Sequence, residues 1–269
     1  MMIEMGGSFE IRNDIRYALK HKLRGRERAF GGWVSYREPA IAETFAKAGF
    51  DFVAIDMEHT TISTDQANRI ITGVQSEGVA CLPRPVSHSN DYIKPLLEAG
   101  ADGLIIQMVN TPEEVEALIK LQKFPPVGER SYGVNRAHGY GLDFDEYIKT
   151  WNESASFIIQ VESITAVNNI EQLIAFDEVD AVMVGPYDIS GSLGVPGQTD
   201  HPSVQAASAK VVEACAKRGI GCCTQIADVS EDRVQSAFDA GFSFLILGSD
   251  LFILSKWASD MRAVLGKFS

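Results

Sequence analysis

The sequences FIIQVES at residues 157–163 and DAVMVGPYD at residues 180–188 decide the fold, because each begins as a short apolar run and carries a carboxylate after it. Short runs rich in β-branched residues predict buried strands rather than helices. The residues between them, 164–176, have apolar side chains at helical spacing. A strand–helix–strand unit makes both strands parallel, so they end at the same edge of the sheet. Glu162 and Asp188 are therefore expected at adjacent strand ends, where α/β proteins bind ligands.

Two carboxylates at one sheet edge indicate a candidate metal site. With Gln160 nearby, Glu162 and Asp188 suit a hard divalent cation that keeps several of its waters. The alternative is a structural role, in which each carboxylate caps the following helix or pairs with a basic neighbour. The pattern alone leaves both interpretations open.

The same alternation of strand and helix repeats eight times along the chain. Eight such units in 269 residues predict a single (β/α)8 barrel domain, of the TIM-barrel type, over residues 1–269. The alternative is a doubly wound open sheet, which usually has fewer strands. The sequence contains no GxGxxG motif after a first strand and no Walker loop, which favours the barrel.

Three segments lie outside this regular alternation. An N-terminal extension covers residues 1–28, with a predicted amphipathic helix at 11–23 and predicted disorder at 1–7. Residues 124–156 form a long connection with a short helix, and connections of this length are often functional. A final amphipathic helix is predicted at 251–265, with Trp257 on its apolar side.

Composition excludes several classes of protein. The formal net charge of −12 argues against binding to nucleic acid or to an anionic membrane. The N-terminus shows no apolar signal segment, and no apolar run approaches the length of a membrane span. The four cysteines form no CxxC pair, which is typical of a reduced, cytoplasmic protein.

Further polar residues follow other predicted strands. Asp56, Glu58 and His59 follow the second strand, and Arg84 follows the third. His59 is a candidate general base, although a lone histidine is more often structural. Arg84 lies between two prolines and suits a carboxylate or a developing oxyanion, with a simple salt bridge as the alternative. Glu98 has the features of an ordinary surface acid.

Five motifs occur in an order and spacing that resemble one family. They are DMEH at 56–59, PRP at 83–85, FPPVGER at 124–130, QVE at 160–162 and GPYDIS at 185–190. Together they resemble the HpcH/HpaI aldolase family, over roughly residues 30 to 263. The resemblance implies a (β/α)8 barrel, commonly assembled as a homohexamer in which the C-terminal helix is exchanged between subunits.

The resemblance also implies a reaction and a cofactor. Members cleave or form 4-hydroxy-2-oxo acids, to or from pyruvate and an aldehyde, through a metal-stabilised pyruvate enolate. Glu162 and Asp188 match the ligands of a divalent ion, usually Mg²⁺, Mn²⁺ or Co²⁺. The partners implied are small molecules and further copies of the chain, with no nucleic acid and no membrane.

Individual roles follow from the same resemblance. Arg84 matches the arginine that binds the ketoacid and stabilises its enolate, and His59 matches the histidine of acid–base catalysis. Asp56 matches a residue that supports the site, and Gln160 matches a substrate-binding residue beside the metal. Asp188 is expected to contact the substrate as well as the metal. Glu98 lies where relatives often carry an aspartate paired with the histidine.

Departures from the family pattern concern the shape of the substrate more than the reaction. Ser131 follows Arg130 where a glycine is usual, and Glu98 is one methylene longer than the common aspartate. Tyr187, a candidate substrate-binding residue, is bulkier than its usual counterpart. Two alternative functions remain open at this point. One is a carbon–carbon lyase acting on an acyl-CoA thioester, as in citrate-lyase-like relatives, and the other is a non-catalytic barrel that binds a small ketoacid.

Overall fold

The computed structural model describes residues 8–268, in which eight parallel strands form one nearly closed barrel surrounded by helices. The strands lie in the order β3-β2-β1-β8-β7-β6-β5-β4. Between β3 and β4, the N–H of Asp102 donates to the carbonyl of Cys81 at 3.0 Å. The predicted (β/α)8 fold is confirmed, whereas the disorder predicted for residues 1–7 lies outside the described residues.

The strands have the following bounds: β1 Ala29–Val34, β2 Phe52–Asp56, β3 Ala80–Arg84, β4 Gly103–Ile106, β5 Ser156–Val161, β6 Ala181–Val184, β7 Gly221–Ile226 and β8 Phe244–Leu247. The helices are α1 Ser8–Arg24, α2 Pro39–Lys47, α3 Thr64–Ser76, α4 Asn90–Glu98, α5 Pro112–Gln122, α6 Phe144–Ser154, α7 Ile164–Leu173, α8 Pro186–Ser192, α9 Pro202–Arg218, α10 Glu231–Asp239 and α11 Asp250–Leu265. A 3₁₀ turn, Arg136–Gly141, precedes α6.

Local sequence signals explain where many helices begin. Ser63 before α3 and Thr111 before α5 each form a capping box with the residue three positions later. Proline occupies the first turn of α2, α5, α8 and α9, where its missing N–H costs no helical hydrogen bond. These signals set the spacing between strands and so bring the eight strand ends together.

The apolar core forms two layers. One lies between the strands and the outer helices, and the other fills the barrel interior. Leu19 and Leu23 of α1 belong to the interior layer with Phe52 and Phe244, which begin β2 and β8. Helix α1 therefore closes the N-terminal end of the barrel and leaves the C-terminal end open for a site.

Three elements differ from the sequence-based prediction. The sequence predicts the third strand at 79–82, whereas β3 continues through Pro83 to Arg84, which pairs with Asp56 of β2. The sequence predicts the fourth strand at 103–109, whereas β4 ends at Ile106 and the chain then takes a left-handed conformation at Met108, with φ of 51°. Helix α8 was not predicted, and it places Asp188 in a first helical turn rather than directly at a strand end.

Helix α11 packs weakly on its own barrel. All residues from 251 to 268 are exposed except Met261, which is partly buried. Trp257, predicted on the apolar side of this helix, is 61% exposed, and Leu254 is 45% exposed. Among the described helices, none is both long and apolar enough to cross a membrane.

Candidate active site

A cavity of about 520 Å³ opens at the C-terminal ends of the barrel strands. Seven of the eight site residues predicted from the sequence line it, and Glu98 does not. The seven are Asp56, His59, Arg84, Gln160, Glu162, Tyr187 and Asp188.

Arg84 is held by acids from the neighbouring strand. Its Nη2 donates to Oδ1 of Asp56 at 2.7 Å, and its Nη1 lies 2.8 Å from Oε2 of Glu58. Asp56 Oδ1 also accepts from the backbone N–H groups of Glu58 and His59, at 3.1 and 3.2 Å. The same carboxylate therefore orients Arg84 and shapes the loop that carries His59.

Two further groups fix the plane of the Arg84 guanidinium. Trp33 lies beneath it, with the ring centroid 4.8 Å from the guanidinium carbon. On another side, Nη1 donates to Oε1 of Gln160 at 3.3 Å. Arg84 is only 6% exposed, so its charge acts where water competes little.

Glu162 is a buried carboxylate that accepts hydrogen bonds from two N–H donors. Gln160 Nε2 donates to Oε1 at 3.1 Å, and the N–H of Met108 donates to Oε2 at 2.9 Å. Within residues 8–268 it forms no ion pair, and burial raises the pKa of Glu162 to about 7 against the opposing effect of the Met108 N–H. Gly185 packs against it so closely that a Cβ there would lie 2.8 Å from its Cγ.

Asp188 faces the same space from the first turn of α8. Its charge contributes to the raised pKa values of both Glu162 and Glu58, after the larger effect of burial. These three carboxylates therefore interact unfavourably across the cavity. A cation placed between Glu162 and Asp188 would relieve that repulsion.

His59 and Tyr187 lie at the rim, where a substrate enters. The His59 side chain is 67% exposed, and its Nε2 lies 3.5 Å from Oε2 of Glu58. Tyr187 is also 67% exposed. Both side chains can reorient toward a bound molecule.

Glu98 lies in a different cluster, away from His59. Its Oε1 accepts from Arg130 at 3.1 Å, and its Oε2 lies 3.7 Å from Nδ1 of the buried His138. Burial lowers the pKa of His138, although the Glu98 charge opposes this shift. Within one subunit the structure does not bring Glu98 and His59 together.

Several site features were missed by sequence reasoning. Trp33 precedes the last residue of β1, and its position near a strand end was the available signal. The contact from the Met108 backbone gives no sequence signal, because every residue type except proline supplies that N–H. Asp250 accepts from the N–H groups of Ser35 and Tyr36, at 2.8 and 2.9 Å, and so orders the loop after β1.

Comparison with known proteins agrees with this geometry. A family model described as HpcH/HpaI aldolase/citrate lyase matches residues 29–256. The hydroxypyruvate/pyruvate aldolase of Roseobacter denitrificans is 32% identical over 246 residues, covering 91% of this chain and 95% of that protein. The 2-keto-3-deoxy-L-rhamnonate aldolase of Escherichia coli K12 is 32% identical over 252 residues, covering 92% of each.

Comparison with solved structures finds a protein of the same family. An HpcH/HpaI aldolase/citrate lyase family protein from Burkholderia cenocepacia superposes with a TM-score of 0.86 at 29% identity. The match covers 94% of this chain and all of that one. The resemblance based on five motifs is thus confirmed: the chain belongs to the HpcH/HpaI aldolase/citrate lyase family, and it is an enzyme of the lyase class.

Proposed function

We propose that this protein is a divalent-metal-dependent aldolase that cleaves or forms 4-hydroxy-2-oxo acids, with pyruvate as one product or substrate. The observation that carries the proposal is one cavity in which a fixed arginine faces a pair of carboxylates, with an exposed histidine at the rim. The two relatives named as aldolases of pyruvate and of a 2-keto acid support the same reaction class.

The residues present fit a divalent cation. Among residues 8–268, no three His, Cys, Asp or Glu side chains converge as a ready-made set of ligands, so the candidate site rests on the pair of carboxylates, Glu162 and Asp188, at the cavity. Glu162 and Asp188 would therefore supply two oxygen ligands, with the remaining positions left for water and substrate, as Mg²⁺ prefers. We propose Mg²⁺, Mn²⁺ or Co²⁺ as that ion; when bound, it supplies Lewis-acid polarisation of the keto oxygen.

Arg84 stabilises the charge that develops as the carbon–carbon bond breaks. Cleavage of C3–C4 leaves an electron pair on the pyruvate half, which is delocalised onto its keto oxygen as an enolate. A guanidinium already oriented by Asp56 and stacked on Trp33 meets that oxygen without having to reorganise. Gln160 helps to place the ketoacid through its contacts with both Arg84 and Glu162.

His59 moves the proton. In the cleavage direction its imidazole accepts the proton of the C4 hydroxyl, and the C4 carbon leaves as an aldehyde. The enolate then takes a proton at C3 to give pyruvate. Glu58, 3.5 Å from Nε2, stabilises the imidazolium between these two steps.

We also propose that the enzyme works as a cytoplasmic homo-oligomer, a hexamer in which α11 is exchanged between subunits. The exposed apolar residues of α11 support this, because a monomer gains little from leaving them in water. The four free, buried cysteines are compatible with a reducing compartment.

Coupled detection of pyruvate release from 4-hydroxy-2-oxo acids tests the reaction. Activity should be lost on treatment with EDTA and restored by Mg²⁺, Mn²⁺ or Co²⁺. Glu162→Gln should lower turnover by at least about a hundredfold, since it removes a ligand charge. Glu213→Gln is the matched control, because Glu213 is an exposed partner of Lys217. Full activity in EDTA, or in Glu162→Gln, would refute the metal-dependent mechanism.

A further inference from the structure

A second cavity lies on the face of the molecule beside α1, which closes the other end of the barrel. It has a volume of about 410 Å³ and is bordered by α1, the end of α3 and the 3₁₀ turn before α6. We call it the basal cavity, and the residues that characterise it are Arg12, Arg16, Thr72, Gln75, Gly100 and Arg136. None of these residues lines the cavity at the barrel mouth.

Three arginines line the basal cavity together with one acidic residue, Asp143, and the fully buried carboxylate of Asp102 lies beside Arg12 and Arg16. Oδ2 of Asp102 contacts Arg12 and accepts from Gln75 at 2.9 Å and from the N–H of Cys81 at 2.9 Å. Its Oδ1 lies 3.8 Å from Nη1 of Arg16. Asp102 thus pairs directly with Arg12 and Arg16, whereas it acts on the third arginine only through its charge.

That third arginine is Arg136. Its Nη1 donates to the carbonyl of Ala99 at 2.8 Å, and no hydrogen bond from its Nε or Nη2 is found within residues 8–268. Over the same residues, Arg136 forms no ion pair. Burial lowers the pKa of Arg136 and the nearby charge of Arg12 lowers it further, while the charge of Asp102 opposes both effects in part. A partly buried guanidinium held against a second one is a site that an anion would stabilise.

The backbone leaves room for this guanidinium. Gly100 has φ of 89°, and a Cβ there would lie 2.8 Å from Nη1 of Arg136. The glycine therefore permits both the left-handed turn after α4 and the close approach of the arginine.

We propose that the basal cavity is a binding site for a small oxyanion, recognised as a phosphate or carboxylate group by Arg136 together with Arg12. A planar guanidinium with unused donors matches the geometry of both groups. The anion would give Arg136 the ion pair that it lacks within residues 8–268, and through Arg12 it would tie the 3₁₀ turn to α1. This site is independent of the proposed aldolase reaction, so each can fail without the other.

The test measures binding of inorganic phosphate to the full chain by titration calorimetry, with ionic strength held constant by NaCl. Malonate, titrated in the same way, distinguishes a carboxylate site from a phosphate site. Binding should saturate, and Arg136→Gln should weaken it by about ten- to a hundredfold, the loss expected for a charged hydrogen bond. Arg69→Gln is the matched control, because Arg69 is an exposed partner of Asp65 on α3.

A second variant keeps the test informative if Arg136→Gln does not fold. Thr72 is exposed at the cavity rim and donates only to the carbonyl of Asn68 in its own helix. Thr72→Glu adds a negative charge at the rim and should weaken binding about tenfold, whereas Thr44→Glu, on the equivalent exposed turn of α2, should not. Binding that does not saturate, or is equal in Thr72→Glu and Thr44→Glu, would overturn the proposal.

Discussion

Asp180 and Asp102, at the base of the barrel, have cationic partners that Glu162, at its mouth, lacks within residues 8–268. At the base, Asp180 lies 3.0 Å from Lys20 and 2.6 Å from Arg24, and Asp102 contacts Arg12. At the mouth, Glu162 is similarly buried, but within residues 8–268 its partners are the N–H groups of Met108 and Gln160 rather than a cationic side chain. A buried carboxylate that already contacts fixed cations is structural. One that lacks them, and faces a second carboxylate, is available to bind a cation.

The largest expected effect concerns Arg84, the guanidinium held at the mouth of the barrel. Arg84→Lys should lower kcat/KM for pyruvate release by about a hundred- to a thousandfold, because lysine cannot contact Asp56, Glu58 and the substrate at once. Steady-state kinetics measure this, and Arg69→Lys on the surface should leave the rate unchanged. Near-normal kinetics in Arg84→Lys would show that a point charge suffices there.

At the base, the corresponding change should affect folding. Asp180→Asn should lower the free energy of unfolding by about 3–5 kcal/mol, since Lys20 and Arg24 would lose their shared partner. Urea unfolding measures this loss. The control is Asp177→Asn, whose carboxylate is 88% exposed and pairs with Arg218, and which should change stability by less than about 0.5 kcal/mol. Equal effects of the two variants would contradict the structural role of Asp180.

A smaller effect is expected from the ring beneath Arg84. Trp33→Leu should lower kcat/KM about tenfold by removing the cation–π contact and the packing that orients the guanidinium. Trp33→Phe retains an aromatic face and should recover most of that loss. If both variants lose the same activity, the ring acts through core packing rather than through Arg84.

The last prediction concerns a dependence of stability on pH at the base. Burial lowers the pKa of Lys123 to about 7, below its unfolded value, so the unfolded chain binds more protons between these two pKa values. The free energy of unfolding therefore falls as pH is lowered from about 10.5, the unfolded pKa, to about 7, by about 1.4 kcal/mol per pH unit. Above about pH 10.5 lysine is neutral in both states, and stability no longer depends on this group. Lys123→Met should flatten the wild-type rise in stability between pH 7.5 and about 9, measured by urea unfolding. The same rise in stability in Lys123→Met as in the wild type would contradict a lowered pKa of Lys123 as its cause.

Much of the mouth was predictable, because parallel strands bring their carboxyl ends to one edge whatever lies between them. That rule alone places Asp56, Arg84 and Glu162 together. It did not place Glu98, whose partners Arg130 and His138 belong to the long connection between α5 and β5. The path of such a connection depends on tertiary packing, and no local pattern encodes it.

Other features of the site escaped prediction for local reasons. The sequence GPYD at residues 185–188 has the composition of a turn, yet proline at a first helical position starts α8 there. The orientation of the Arg84 side chain depends on Trp33, which comes from a strand far away in sequence. Sequence patterns predict which residues reach the mouth better than they predict what each one touches.

The left-handed conformation of Met108 has a consequence for how this site tolerates sequence change. Its N–H orients Glu162, whereas its side chain is 42% exposed. The contact therefore depends on the backbone conformation at this position and not on any atom of the side chain. Glycine, asparagine and aspartate, which adopt positive φ most readily, are the substitutions that should preserve the position of Glu162, and proline, which has no N–H, is the one that should abolish it.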